Sequence, residues 1–300
     1  MTTISKIIYH VDRLQRRHKV FAFPYAVIKK YGEDEAGYQA ALLTYYGFLA
    51  LFPLLLVVIT VSEKILVNNP SAQNTVLHSI TNYFPVLGGQ LASHIHSIGG
   101  GGYALAVGIL FTFYGARGAA AAFTHGVHHI WNVPKKDRDG FPKSLLKNLT
   151  LLLIGGIGFI AASVISGIAA GAGHGLMFRA LSIFMNLIIL FSLFTFLINY
   201  SLPKHISFKE TRLGAAVCAV GLVMLQLLGG YILTRHLKTL DALYSYFAIT
   251  LGLLFWIYLQ AQLLMYAIEI SIVSSHRLWP RSLQNDHPTD VDKKLINGSA

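Results

Sequence analysis

Long runs of apolar residues dominate the chain, and short polar segments separate them. Five of these runs contain no Asp, Glu, Lys or Arg, namely residues 36–62, 148–178, 180–203, 213–234 and 242–268. A sixth run, from Tyr103 to Thr124, contains one charged residue, Arg117. A helix needs about 20 apolar residues to cross the hydrocarbon core of a bilayer. Each run therefore predicts one transmembrane helix.

The predicted fold is all-α: a polytopic membrane protein with six transmembrane helices, both termini in the cytoplasm and short amphipathic helices at the membrane surface. It divides into a basic cytoplasmic segment (1–36), a six-helix transmembrane domain (37–275) and a cytoplasmic tail (276–300). The predicted spans are about 40–62, 103–125, 148–170, 180–201, 212–234 and 245–269.

Two polar segments have patterns typical of surface helices. Residues 5–31 mix apolar and basic positions, which favours a helix on the inner membrane face, with a solvated tail as the alternative. In the external segment, 63–102, apolar residues recur at near-helical spacing, which predicts short helices on the outer face.

Composition excludes an ordinary soluble domain. Only 12% of the residues are charged, whereas soluble chains contain about 25%. Residues 1–36 lack the compact apolar stretch and cleavage site of a signal peptide, so we expect the first span to be retained. Cys218 is the single cysteine, which excludes an intramolecular disulfide and a cysteine zinc site.

Charge is distributed unevenly around the predicted spans. Nineteen of the 24 lysines and arginines fall in the two terminal segments and the loops on their side of the membrane. The opposite loops contain only Lys64, Arg179, Arg235 and Lys238. This asymmetry predicts that both termini lie in the cytoplasm. Topology thus accounts for the net charge of +11 without a nucleic acid, and membrane lipids are the expected partners.

Arg117 is the first candidate for function. A cation at mid-membrane costs about 2.5 to 3.5 kcal/mol, so its side chain should face protein or water. Counting helical rise from Tyr103 places Arg117 roughly 21 Å below the outer boundary. Tyr45 and Tyr46 on the first span and Gln260 and Gln262 on the sixth lie at a similar depth. These three spans could share a polar pocket.

Two polar stripes follow helical spacing. The stripe on the sixth span consists of Tyr258, Gln262, Tyr266 and Glu269. The stripe on the second span consists of Tyr114, Arg117, Ala121 and His125. Facing each other, the stripes would either line a hydrated path or hydrogen-bond and lock the bundle. Pro53 within the first span is either a structural bend or a gating hinge.

Metal, cofactor and catalytic sites are not predicted. His125, His128 and His129 have suitable helical spacing for a metal, but no carboxylate or cysteine adjoins them, and interfacial polar residues are the preferred interpretation. We find neither a nucleophilic triad nor a phosphate-binding Gly-Lys-Ser/Thr loop.

Five segments in and between the predicted spans have distinctive sequences: Leu43-Thr-Tyr-Tyr-Gly-Phe-Leu-Ala-Leu-Phe-Pro-Leu-Leu-Leu56, His129-Ile-Trp-Asn-Val133, Leu240-Asp-Ala-Leu-Tyr244, Leu253-Leu-Phe-Trp-Ile-Tyr258 and Ala267-Ile-Glu-Ile270. Together they resemble the YihY/BrkB family of bacterial inner-membrane proteins, which implies the same location for this chain. The similarity covers about residues 36–275. The chain departs from the family pattern at Ser245 and Tyr246, at Ala267 and Ile268, and at Arg117.

The resemblance implies six spans and an activity that family labels describe variously as ribonuclease, virulence or serum-resistance factor, and lipid or solute transporter. Our leading hypothesis is a transporter or exporter of a lipid or another amphiphilic or anionic solute, with Arg117 recognising its charge. A scaffold for envelope proteins is the alternative. A membrane-bound ribonuclease is disfavoured, because the scattered acidic residues do not form a hydrolytic metal cluster.

Overall fold

The computed structural model describes Asp12 and residues 18–65, 102–170, 176–203, 206–236, 242–283 and 288–296. Within these ranges every regular element is a helix. The α-helices are α1 (Lys19–Glu33), α2 (Ala36–Ile65), α3 (Gly102–Ile130), α4 (Lys143–Ala170), α5 (Leu176–Ser201), α6 (Phe208–His236), α7 (Ala242–Ser275) and α8 (Asp290–Ile296), with a 3-10 turn at Lys135–Asp137. The predicted all-helical class is confirmed for this part of the chain.

Five helices of the described region are long and apolar enough to cross a membrane. Their qualifying segments are Ala106–Ile130, Lys143–Ala162, Ala180–Ser201, Phe208–Gly229 and Thr250–Ser275. The first predicted span falls on α2, whose side chains are described only to Leu51, and its crossing stays a prediction. The predicted surface helix coincides with α1 from Lys19 onward, while residues 66–101 of the external segment lie outside the described ranges.

The six long helices pack in chain order. α2 packs against α3, α4 against α5, α5 against α6, and α6 against α7, while α7 returns to pack against α2. Contact between α3 and α4 is less extensive than between their other neighbours. The bundle therefore has one loose seam, between α3 and α4.

One end of the bundle, here called the basal end, collects α1, the last turns of α3, α5 and α7, and the first turns of α4 and α6. Lys30 Nζ on α1 donates to the carbonyl of Ile130 (3.0 Å), and Ser271 Oγ on α7 donates to the carbonyl of Thr211 (3.2 Å). At the start of α6, Glu210 accepts a hydrogen bond from the backbone amide of Ser207 (3.0 Å), as in a capping box.

The packing of α5 is that of a helix in lipid. Its buried residues recur at helical spacing and include Asn186, Leu190 and Leu197. Its exposed side is also apolar, with Leu181, Ile183, Phe184, Met185 and Ile188 on the surface. A soluble protein would cover such a surface, whereas hydrocarbon leaves it unpenalised.

Close approach of α2 and α3 depends on Gly115. A Cβ at this position would lie 2.8 Å from the backbone N and Cα of Ala50. Gly115→Ala should therefore force the helices apart and cost about 1 to 3 kcal/mol, which thermal unfolding of the purified protein would measure. Gly156→Ala on α4 is the matched control, because no described atom outside its own stretch of helix lies within 4 Å of the added methyl group. Equal effects of the two changes would contradict this account.

Candidate functional site

A groove of about 460 Å³ lies at the loose seam of the bundle. α2 and α3 form one wall, and the loop before α4 and the first turns of α4 form the other. Its lining residues are Tyr46, Tyr114, Arg117, Gly118, Ala121, Asp139, Phe141, Ser144, Leu145 and Asn148. The groove thus runs from the middle of the α3 span to the loop at the basal end.

Arg117 is the cation in the membrane part of this groove. Its side chain is exposed, and no residue in the described ranges forms a hydrogen bond or ion pair with it. Tyr46 packs directly on Gly118, where a side chain larger than hydrogen would collide with the tyrosine ring. Tyr46 also meets Tyr45 edge to face (5.2 Å between centroids), and Tyr45 itself is exposed. Four residues of the predicted pocket and stripes therefore line one groove, namely Tyr46, Tyr114, Arg117 and Ala121.

An ion pair marks the basal end of the groove. Lys147 Nζ donates to Asp139 Oδ2 (2.9 Å) and to the carbonyl of Ser201 (3.0 Å). The hydrogen bond from Lys147 lowers the pKa of Asp139, which therefore stays ionised at neutral pH. Asp139 also lines a second cavity, of about 620 Å³, between the ends of α3, α4 and α5. The ion pair thus stands where the two cavities meet.

The polar stripe of α7 is covered by α1 and does not contribute to this groove. Tyr31 of α1 donates a hydrogen bond to Gln262 Oε1, and Gln262 Nε2 donates to the hydroxyl of Tyr258. The Tyr31 ring stacks on Tyr266 at 4.0 Å. Burial raises the pKa of Tyr31, so its hydroxyl remains protonated and can donate. Among the described residues, no side chain of α7 lines the groove, so the two predicted stripes do not face each other there.

Glu269, the last residue of that stripe, pairs with Lys30 of α1. Glu269 is 0% exposed and Lys30 is 2% exposed. Their Nζ and Oε2 atoms are 3.4 Å apart, and Lys30 also contacts Asp34. Sequence reasoning placed Lys30 in a cytoplasmic segment and missed its burial. Lys30 lies four residues before Asp34, which indicates an ion pair along the helix. Such pairs are also common on solvated helix faces, so the spacing does not indicate burial.

The groove lining does not include Gln260 or the predicted histidines. Gln260 is half-buried on α7, and Pro53 lies in the part of α2 whose side chains are not described, so its hinge role stays a prediction. His125 contacts Gln39 (3.1 Å), whereas His128 points to the carbonyl of Ser201 (2.7 Å). Among described residues, no three His, Cys, Asp or Glu side chains are grouped to hold a metal ion.

A network of charges joins α1 to the C-terminal residues at the basal end. Arg281 Nη2 donates to both carboxylate oxygens of Glu33 at 2.8 Å, and Arg281 Nε donates to Asp292. Lys29 Nζ lies 3.2 Å from the same aspartate. Burial acts to raise the pKa of Asp292, but hydrogen bonds, first from Thr289 and then from Arg281, outweigh it and hold the pKa well below 3.8.

This lowered pKa predicts a dependence of stability on pH. Asp292 binds protons more weakly in the folded state, so its contribution is complete above about pH 5 and decreases as the pH falls below its unfolded pKa. Asp292→Asn should lower stability by about 2 kcal/mol at neutral pH. The difference in melting temperature from the wild type should shrink on acidification. Asp290→Asn, at an exposed position of the same helix, is the control, and a difference independent of pH would contradict the prediction.

Comparisons with known proteins found a matching protein family and a related membrane protein. The sequence model of a protein family described as "Virulence factor BrkB" matches residues 27–291. A protein of Psychrobacter sp. (strain PRwf-1), named a UPF0761 membrane protein, is 24% identical over 281 residues. The alignment covers 88% of this chain and 51% of the relative, so the chain spans about half the length of that protein. No solved structure matches.

Proposed function

Because the chain belongs to the Virulence factor BrkB family, we propose that it binds an amphiphilic molecule with an anionic group and moves it along the groove between α2, α3 and α4. A lipid is the simplest such molecule. The single observation that carries the proposal is the exposed guanidinium of Arg117 near the middle of a membrane span.

The electrostatics of the groove support an anionic group as ligand. A cation in hydrocarbon is costly, and an arginine without a protein partner gains most from an anion that enters beside it. Its planar guanidinium matches the oxygens of phosphate or carboxylate with paired hydrogen bonds. Ser144 and Asn148 add polar groups from the opposite wall.

The surroundings of the groove support an amphiphile over a small soluble anion. Phe111 and Phe113 of α3 and Leu146 and Leu153 of α4 are exposed close to it in sequence. Such side chains suit contact with acyl chains, while the polar groove holds the head. A molecule with both parts could thus follow the seam without leaving the lipid.

For topology, we propose six spans in a bacterial inner membrane with both termini in the cytoplasm. α2 supplies the span beyond the five that qualify by composition. The basal end contains the basic residues of α1, of the loop before α4 and of the C-terminal tail, and cytoplasmic ends are enriched in such residues. The groove would then open toward the cytoplasmic leaflet. We propose no catalytic activity for the chain.

Lipid transfer between leaflets of proteoliposomes tests the proposed function. Vesicles that contain the purified protein and a trace of head-labelled phospholipid should expose the label to a membrane-impermeant quencher faster than vesicles without protein. Equal rates in the two preparations would contradict transport. A dye encapsulated in the same vesicles serves as the control for leakage, since a leaky vesicle would expose the label to the quencher without lipid transfer.

A further inference from the structure

The described lining of the groove contains an acidic side chain as well as a basic one. A site for a purely anionic ligand would not require the acidic side chain. Among the described residues, Arg117 and Asp139 are the two charged side chains that line the groove. The adjoining cavity shares Asp139 and adds Lys143, Lys147 and Asp137, so the two cavities together contain three basic and two acidic side chains. The groove itself is balanced, although the chain as a whole has a formal charge of +11.

Asp139 is placed to meet a ligand. Its side chain is 40% exposed, and Lys147 bonds to Oδ2. No residue in the described part of the chain bonds to Oδ1, which leaves this oxygen available to the cavities. The carboxylate would repel a ligand that had only negative charge. The same carboxylate attracts a positively charged group.

The aromatic residues of the groove favour the binding of a cationic group beside Asp139. Tyr46 from α2 and Phe141 from the loop line the same groove as Asp139. The faces of aromatic rings attract ammonium groups, and a neighbouring carboxylate adds to this attraction. The α3 wall thus offers a guanidinium to an anion, and the basal end offers the carboxylate of Asp139 and the ring of Phe141 to a cation.

We propose that the ligand of the groove is a zwitterionic amphiphile, whose phosphate lies at Arg117 and whose ammonium group lies at Asp139. This inference rests on the function proposed for the same groove and specifies its ligand. The volume of about 460 Å³ lies within the range of about 300 to 1,000 Å³ usual for small-molecule sites. The ammonium group of the ligand binds Asp139 Oδ1, the carboxylate oxygen to which Lys147 does not bond.

Lipid retention by the purified full-length chain tests the proposal. The protein is equilibrated in detergent with equal amounts of phosphatidylethanolamine and phosphatidylglycerol, and bound lipids are counted by native mass spectrometry. Both lipids contain a phosphate, but only the first has an ammonium group. We expect the wild type to retain about fivefold more phosphatidylethanolamine, the ratio that about 1 kcal/mol of ion pairing provides.

Variants assign this preference to individual residues. Asp139→Asn should reduce the ratio to about one without loss of phosphatidylglycerol, and Asp139→Glu should preserve it. Lys147→Met breaks the same ion pair but leaves the carboxylate, so the ratio should persist. Melting temperatures show that each variant is folded. If Asp139 served only to pair with Lys147, its replacement would leave the ratio unchanged.

Failure of this inference differs from failure of the proposed function. Equal retention of both lipids by the wild type, or an unchanged ratio in Asp139→Asn, would overturn the zwitterionic ligand. Loss of both lipids in Arg117→Gln would then still support a phosphate at Arg117. If Arg117→Gln retained both lipids as the wild type does, the groove would not be the binding site and both proposals would fall.

Discussion

Replacement of Arg117 by leucine should abolish protein-dependent lipid transfer while the protein remains folded in the membrane. The guanidinium has no bonding partner among the described residues, so its loss leaves no buried charge unpaired. Leucine is also cheaper than arginine in hydrocarbon, by about 3 kcal/mol on insertion scales. Expression and melting temperature should therefore be maintained or improved. Transfer should fall at least about 100-fold, because a lost charge-assisted contact to phosphate is worth about 3 kcal/mol.

Two control substitutions make this result specific. Arg117→Lys retains the charge but not the planar pair of donors, and we expect partial activity. Arg212→Leu removes an exposed cation from the first turns of α6, outside the groove lining, and should leave transfer unchanged. Wild-type transfer by Arg117→Leu would exclude Arg117 from the path. Equal loss in Arg117→Leu and Arg212→Leu would indicate a general effect of net charge.

The long helices could be predicted because the length of an apolar run largely determines whether a segment forms a membrane helix. A backbone in hydrocarbon must satisfy its own hydrogen bonds, so a long apolar run has to be a helix. The ends were less predictable. α4 begins at Lys143 and α7 continues to Ser275, several residues outside the predicted spans, because helices continue past the hydrocarbon into polar surroundings where hydropathy no longer reports on them.

Counting residues along the spans predicted which candidate residues lie at similar depths, but not which way their side chains face. Counting residues placed Arg117, Tyr46 and Gln262 at similar depths, and the first two do line one groove. Gln262 instead bonds to Tyr31, because the rotation of α7 and the position of α1 depend on packing that hydropathy does not encode. Asp139 lies in a short loop, and its position beside the groove follows from the return of the chain into α4. A single sequence contains no signal for this juxtaposition.

Lys30→Met should be among the most destabilising single substitutions at the basal end. Lys30 is the one cation described in contact with both Asp34 and Glu269, and both ion pairs involve buried or largely buried side chains. Methionine would fill a similar volume and leave two carboxylates close together without a counter-charge. Removing one partner from a buried ion pair costs about 3 to 5 kcal/mol. For a chain of this size we expect a decrease in melting temperature of about 10 °C in detergent.

Glu269→Gln should have a much smaller effect, because the cluster contains one ammonium group and two carboxylates. Lys30 would keep its contacts with Asp34 and the carbonyl of Ile130, and a neutral amide of similar size would replace the buried carboxyl group. We expect a change of about 1 kcal/mol or less. Lys30→Met combined with Glu269→Gln should recover part of the stability lost in Lys30→Met, since one of the two unpaired carboxylates is gone. Additive effects in the double variant would show that Lys30 and Glu269 do not interact energetically. Equal destabilisation by the two single substitutions would instead contradict the role of Lys30 as the counter-charge shared by both carboxylates. In the first case the docking of α1 on α7 would depend on Tyr31, which stacks on Tyr266 and donates a hydrogen bond to Gln262.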